Sequence, residues 1–400
     1  MARSNVQLGV GLDLGSGFVR CMICAVENDF LRYVGHGEYP SAGWIRGRIA
    51  DPVAVSASIQ KALELAEARA KVPVAGATVG VGGSTVASGG SRGLYELGPA
   101  REIDSRDIHF AVRLSTEVQL EHDRLLLQAM PGSFTVDGRS GLRFPQRMVG
   151  SRLEAHSHII TTSLQEHNAV IDAVHNAHVN VEETVFEGMA AAYACVVEGE
   201  RARGLAVLDI GSHSSELAIY CGDALVHSAS IPIGGDHFTR AIAAVFRIQF
   251  ADSELLKKEH GCARLGLSSD RSIIEIPSCD DRPAREALRR DLTAVLETRA
   301  EDLYLLVKDE LVKAKLQEPL DEGLLLCGGG SMLYGMEDMA EHVLNMSCRK
   351  GLPKDIDGVP EELNRADWTT AFGLAMYSAR LKARPEFKRK APGFLGLVLR

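Results

Sequence analysis

Two segments of this 400-residue chain end an apolar run in Asp-x-Gly followed by small polar residues: Val10-Gly11-Leu12-Asp13-Leu14-Gly15-Ser16-Gly17 and Val207-Leu208-Asp209-Ile210-Gly211-Ser212. An apolar run suits a buried strand, glycine permits the positive φ of a tight turn, and N–H groups exposed in such a turn can point at anionic oxygens. Asp is the residue that a turn alone does not require. A carboxylate at a strand end can hold the hydration shell of a magnesium ion bridging nucleotide phosphates. That chemistry casts Asp13 and Asp209 as metal-side residues, and Gly15, Ser16, Gly17, Gly211, Ser212 and Ser214 as phosphate-side residues. One Asp-x-Gly is an ordinary turn, whereas a pair points to two related half-domains closing on one nucleotide.

A third apolar run, Leu324-Leu325-Leu326-Cys327, stops at Gly328-Gly329-Gly330-Ser331, with a helix expected from about Met332. Glycines there would let the backbone lie against a base or an α-phosphate, and the alternative is a flexible loop. Gly234-Gly235-Asp236-His237-Phe238 opens a further helix whose N–H groups, Gly235 among them, are candidates for a phosphate contact.

The elements that must position these turns are legible as patterns. Strands are predicted over Val6 to Val10, Val19 to Val26, Leu31 to Gly37 and Thr78 to Val81, with a helix over Pro52 to Ala70. Charged helix and short strand are expected from 84 to 162. Helix is expected over Glu166 to His178, extended chain over Glu183 to Phe186, and a small-residue helix over Glu187 to Ala194. Strands follow over Glu216 to Tyr220 and Ala224 to Ile231, then Ser272 to Pro277, then a long amphipathic helix over Arg282 to Gln317.

Composition narrows the class. At 46% hydrophobic and 24% charged, the chain can bury more than one core. A net charge of −9 argues against a general nucleic-acid binder. The opening Met-Ala-Arg-Ser-Asn-Val runs into the first strand without a signal-peptide-like apolar region, and a cytosolic protein is expected. Cys21-x-x-Cys24 lies inside an apolar strand pattern and reads as core thiols. His156 with His158 on a strand face, and His175 with His178 on a helix face, lack the carboxylate or thiol company of a metal site.

The turns resemble those of the actin and Hsp70 ATPase superfamily. Glu121-His122-Asp123-Arg124, Met130-Pro131-Gly132-Ser133-Phe134-Thr135-Val136-Asp137, Met148-Val149-Gly150-Ser151-Arg152-Leu153-Glu154-Ala155 and His260-Gly261-Cys262-Ala263 resemble the FtsA family within it. The resemblance covers about residues 8 to 380. It implies an α/β, actin-like two-lobed fold with duplicated ribonuclease H-like cores and an inserted FtsA-type small subdomain. Expected boundaries are 1–83 (first-lobe core), 84–162 (inserted subdomain), 163–202 (first-lobe core and connecting helix), 203–262 (second-lobe core), 263–320 (second-lobe subdomain), 321–384 (second-lobe core and return helix) and 385–400 (basic, apolar tail).

The resemblance also implies roles. ATP with Mg2+ would sit between the lobes, with Gly328, Gly329 and Gly330 facing the adenosine. Glu187 would orient the attacking water; without the family it is an acidic residue favouring a helix N-terminus. Glu254 and Lys257, three apart on one helix face, would touch ribose and base, or else form an intrahelical ion pair. Arg289 and Arg299 would receive the C-terminal peptide of the tubulin-like protein FtsZ, guanidinium forks being suited to acidic peptides; otherwise they are solvated helix charges. The inserted subdomain would serve contacts with neighbouring copies in a filament and with other division proteins. The tail adds Lys388, Arg389 and Lys390 beside Phe394, Leu395, Leu397 and Leu399, a combination suited to an anionic inner-membrane surface. A disordered basic tail, or one docked on the protein itself, is the other reading.

One departure bears on activity. Where the family usually reads Asp-Ile-Gly-Gly-Gly-Thr, this chain reads Asp209-Ile210-Gly211-Ser212-His213-Ser214. An imidazole sits where backbone should approach the γ-phosphate, so ATP binding is expected and rapid hydrolysis is not. Two further readings stand beside the division scaffold: a metabolite kinase of the same superfamily, with Glu187 or Asp236 as base, and a type IV pilus assembly protein of the PilM kind.

Overall fold

The computed structural model describes residues 6–28, 30–197, 199–269, 271–279, 283–316 and 319–384. The chain begins with an antiparallel hairpin of β1 (Gln7–Leu14) and β2 (Phe18–Glu27), extended by β3 (Phe30–Pro40). A two-residue ribbon of β4 (Trp44–Ile45) and β5 (Arg48–Ile49) leads into helix α1 (Pro52–Ala70) and then β6 (Gly76–Val81). Asp51 caps α1 by accepting the N–H groups of Val53 and Ala54, and Pro52 takes a first-turn position whose N–H has no helical partner.

An inserted sheet follows, built from β7 (Ala87–Glu102), β8 (Arg124–Val136), β9 (Arg139–Leu142) and β10 (Val149–Ser163) in the order β7-β10-β8-β9. Helix α2 (Ser105–Thr116) covers one face, held at its start by reciprocal bonds between Asp104 and Asp107. The short strands expected here are in fact 16, 13 and 15 residues long. Their outer faces carry Gly, Ser and Arg, which hides the apolar alternation of a half-buried strand.

The chain returns through α3 (Leu164–Asn176), β11 (Asn180–Phe186), α4 (Glu187–Cys195) and α5 (Glu200–Arg203). His178 lies beyond α3 in the left-handed region, so it does not share a helix face with His175. The second lobe then repeats the first: a hairpin of β12 (Leu205–Ile210) and β13 (Ser215–Cys221), extended by β14 (Ala224–Ile231), followed by α6 (Gly235–Phe246) and α7 (Phe250–His260). A ribbon of β15 (Ile273–Ile276) and β16 (Arg285–Leu288) precedes α8 (Arg289–Lys313). The long helix therefore starts later than the pattern predicted, because residues 285–288 pair as a strand. After β17 (Leu324–Cys327) a single 3-10 turn at Gly329–Met332 delays α9 to Met336–Leu344, not Met332. Strand β18 (Cys348–Lys350) and α10 (Thr369–Ala383) complete the described fold.

The two main sheets run β11-β6-β1-β2-β3 and β14-β13-β12-β17-β18. In each, a central strand pairs antiparallel with the strand that follows it and parallel with a later one. That shared topology makes the lobes duplicates. Both faces of each hairpin are covered, which explains the nearly continuous apolar runs. Leu12, Cys21 and Ile23 face α1, while Met22 and Cys24 face α10, so Cys21 and Cys24 belong to different cores. Leu208 and Ile210 face α6 and α8, and Leu205 and Val207 face α4.

Helix α10 brings the end of the described chain back to the first lobe, packed on β1 and across α4. A Cβ at Gly373 would lie 1.8 Å from the carbonyl oxygen of Ala190, so the two helices cross with their backbones nearly touching. Gly373→Val should cost about 3 kcal/mol in urea denaturation through overpacking. An unchanged midpoint would mean that this crossing is not close.

Candidate functional site

Each Asp-x-Gly segment forms the tip of a hairpin. Asp13 is the penultimate residue of β1, opposite Arg20, and Asp209 is the penultimate residue of β12, opposite Glu216. The tips meet across the cleft between the lobes. A Cβ at Gly17 would lie 2.6 Å from Ser212 Oγ, so the facing hairpin comes close there. Ser16 Oγ lies 2.9 Å from His213 Nδ1, and His213 Nε2 lies 3.4 Å from Asp236 Oδ2. Burial lowers the His213 imidazole despite the pull of Asp236, so at neutral pH the ring is neutral. It can then donate from Nε2 to Asp236 and accept the Ser16 hydroxyl at Nδ1.

Carboxylates collect beneath the tips. Asp13, Asp209 and Glu216 are buried, and Glu187, at the first position of α4, is partly so. Burial pushes Asp13 up to about 7 against the pull of Arg20, and Asp209 up to about 6 against a hydrogen bond donated by the Thr370 hydroxyl. Burial, reinforced by Asp209, takes Glu216 to about 7, and Glu187 is raised by burial and then by Glu216. Glu216 Oε1 accepts the Gly83 N–H at 2.9 Å, the Ser214 hydroxyl at 2.8 Å and the Ser230 hydroxyl at 3.2 Å, which ties the second hairpin to a first-lobe loop. A Cβ at Gly82 would lie 2.1 Å from Glu187 Oε2, so that loop is bare where the carboxyl rests on it.

Arg20, Glu216, Thr370 and Asp367 are the residues that motif reading missed. Arg20 donates to Glu38 at 2.8 Å and to Asp367 at 3.1 Å, and Asp367 also receives Arg365 at 2.7 Å. The available signal was a single charge inside an otherwise apolar strand, which Phe18-Val19-Arg20-Cys21 and Ser215-Glu216-Leu217-Ala218 both show. Burying such a charge is costly unless it is paired or functional.

The third motif joins the second hairpin. Gly328 has φ +78°, and a Cβ there would lie 2.2 Å from Asp209 Oδ1; one at Gly330 would lie 2.3 Å from Ile210 Cγ2. These two glycines make room for the hairpin, while Gly329 is exposed. The N–H groups at the start of α6 are also committed, which corrects the expectation that they are free for phosphate. Gly235 donates to Gly211 O at 2.9 Å, Asp236 to Ser212 O at 2.8 Å, and Gly234 to His237 Nδ1 at 3.1 Å. Lys257 Nζ bonds Gly235 O at 3.0 Å and pairs with Glu254 at 2.6 Å, and both side chains engage the Thr239 hydroxyl. Glu254 and Lys257 thus form a mostly buried clamp on the α6 start, not an exposed surface pair.

Arg289 and Arg299 lie on α8, outside this group. Arg289 Nε donates to the His260 carbonyl at 2.8 Å, and Arg299 pairs with Asp302 at 3.1 Å. His156 bonds Thr135 at 3.0 Å and His158 bonds Ser228 at 2.9 Å. Lys388, Arg389, Lys390, Phe394, Leu395, Leu397 and Leu399 lie outside the described residues.

Between the tips, Glu187, Glu216 and residues 80–85 lies a cavity of ≈ 100 Å³. Small-molecule pockets occupy roughly 300–1,000 Å³, so a ligand of nucleotide size would enter here only if the tips part. The raised carboxyls keep protons in the folded chain that they lose in the unfolded chain between about pH 4 and 7. Their contribution to stability therefore falls as pH rises through that window. Asp209→Asn, which removes one charge and keeps an acceptor for Thr370, should raise the nucleotide-free melting temperature by roughly 2–4 °C at pH 7.5 and change it little at pH 5. Equal shifts at both pH values would contradict a buried charge.

Comparison with known proteins fits this geometry. The family model for cell division protein FtsA matches residues 206–373, and the model for the SHS2 domain inserted in FtsA matches residues 83–161. Cell division protein FtsA of Pseudomonas aeruginosa is 31% identical over 378 residues, 94% of this chain and 90% of that protein. FtsA of Escherichia coli K12 is 28% identical over 402 residues, 98% and 95% respectively. Among solved structures, a PilM-PilN type IV pilus biogenesis complex superposes with a TM-score of 0.67 at 18% identity, over 93% of this chain and 98% of that one. MreB 5 of Spiroplasma citri bound to AMPPNP gives 0.55 at 15% identity, over 94% and 97%. These structural likenesses show an actin-like fold, and the sequence relatives go further: the chain belongs to the FtsA family of cell-division proteins.

Proposed function

We propose that this chain binds ATP between its lobes, assembles head to tail, and tethers FtsZ polymers to the cytoplasmic face of the inner membrane at the division septum, where it recruits later division proteins. The observation that carries the reading is the meeting of two topologically equivalent Asp-x-Gly hairpins over one set of buried carboxylates. Carboxylates held close together with raised proton affinity are suited to a divalent cation, which would supply charge neutralisation along a phosphate chain. Among the described residues no three His, Cys, Asp or Glu side chains converge to ligate an ion directly. Asp13 and Asp209 would therefore hold the water of a Mg2+ ion.

The chain's own residues then divide the work. Ser16, Ser212 and the tip backbones bind phosphate oxygens, and Gly329 and the Lys257 side of the cleft face the nucleoside. Glu187, with Glu216 beside it, orients a water by hydrogen bonding. With His213 at the tip, turnover is slow, and the bound state matters more than the chemistry. Parting and reclosure around nucleotide would fix the angle between lobes, and a head-to-tail contact forms between lobes of one orientation.

For the FtsZ peptide, Arg299, paired with Asp302 on its own helix, would exchange that partner for a peptide carboxylate, while Arg289 is engaged at the end of α7. At the membrane, Arg380 and Lys382 are held by Tyr193 and Glu182, so attraction would fall on Lys388, Arg389 and Lys390, each contributing about 1 kcal/mol near an anionic surface. No helix among the described residues is long and apolar enough to cross a membrane. Avidity within a polymer would compensate a weak single tail.

Co-sedimentation with anionic liposomes tests the reading. The intact chain should pellet and carry the FtsZ tail peptide with it, more so with ATP, whereas a chain ending at Arg384 should stay in the supernatant. Failure to bind either lipid or peptide, together with ATP turnover that needs a small-molecule acceptor, would favour a kinase.

A further inference from the structure

We propose that His213 closes the phosphate end of the cleft and sets the site's preference for a nucleoside diphosphate over a triphosphate. The inference rests on the nucleotide reading and adds a determinant peculiar to this chain. His213 occupies the outermost point of the second hairpin, and its imidazole spans the gap between the lobes: Ser16 of the first hairpin lies 2.9 Å from one ring nitrogen, and Asp236 at the start of α6 lies 3.4 Å from the other. The seat is shaped on the first-lobe side as well. Gly47, between β4 and β5, has φ +74°, and a Cβ there would approach His213 Cβ to 3.1 Å.

The direction of the preference follows from what the ring occupies. A phosphate chain running from the Gly329 side toward the tips reaches Ser16 and the 212–214 turn with its last group. That group meets a Ser16 hydroxyl already engaged and, behind the imidazole, the Asp236 carboxylate. Seating a third phosphate requires the ring to leave, which breaks the bond to Ser16, takes the imidazole from beside Asp236 and brings a second anion toward that carboxylate. With a diphosphate, the Ser16-His213 contact can re-form beside Asp236 when the tips reclose. Loss of the Ser16–His213 hydrogen bond, together with the approach of two anions at Asp236, corresponds to roughly a tenfold change in affinity.

The experiment measures equilibrium binding of ADP and of a non-hydrolysable ATP analogue, with Mg2+, to the full chain and to His213→Gly by isothermal titration. The expected result is triphosphate affinity raised about tenfold with diphosphate affinity within about twofold, so that their ratio moves. Equal movement of both nucleotides, which a role in hairpin stability alone would produce, overturns the proposal, as does movement of neither. Asp236→Asn keeps the ring and the hairpin, weakens the tether, and should move the ratio the same way by a smaller factor; it decides the matter if the glycine variant fails to fold. If no nucleotide binds to any of the proteins, the nucleotide reading fails and takes this proposal with it, an outcome distinct from an unchanged ratio.

Discussion

Asp13, Asp209, Glu187 and Glu216 share the floor of one cleft, and keeping that many acidic groups out of water constrains everything around them. Three of the four are given a specific answer. Asp209 takes a hydroxyl from α10, Glu216 takes a backbone N–H from the opposite lobe, and Asp13 lies beside Arg20, whose own bonds go to Glu38 and Asp367. Proton uptake covers what these partners leave. Under the proposed function the cleft would exchange those protons for a cation, and the Glu216–Gly83 and Ser16–His213 bonds draw the lobes together.

Those bonds also explain why the glycines sit where they do. Gly17, Gly82 and Gly328 each lie where a Cβ would strike a functional group of another segment: Ser212, Glu187 and Asp209 respectively. A nucleotide-first view of glycine-rich turns would credit these residues to the ligand. In this chain the same glycines also let protein segments approach one another.

How much was legible in the sequence follows the same division between local and distant causes. Helix α1 could be read from Asp51, Pro52 and helical spacing, and the hairpins from an apolar run that breaks at Asp-x-Gly, because those signals lie within a few residues. The strands of the inserted sheet were misjudged because Gly, Ser and Arg on an outer face erase alternation. Residues 285–288 read as helix by pattern because their strand pairing with 273–276 is decided by a partner. At the site, Asp13 and Asp209 were visible as motif, whereas Glu216, Arg20 and Thr370 became meaningful once β2, β13 and α10 had placed them. The committed N–H groups of Gly235 and Asp236 have no sequence signature, since a helix start looks the same whether its donors meet a ligand or a loop.

The return of α10 to the first lobe has a consequence for biosynthesis. Strand β1 leaves the ribosome well before α10, yet one face of its sheet is covered by residues 369–383. At about 5–20 residues per second, that face waits on the order of 20 to 70 s for its cover. The first lobe therefore closes after the second has been made, and the order of synthesis is the reverse of the order in which the two lobes become complete.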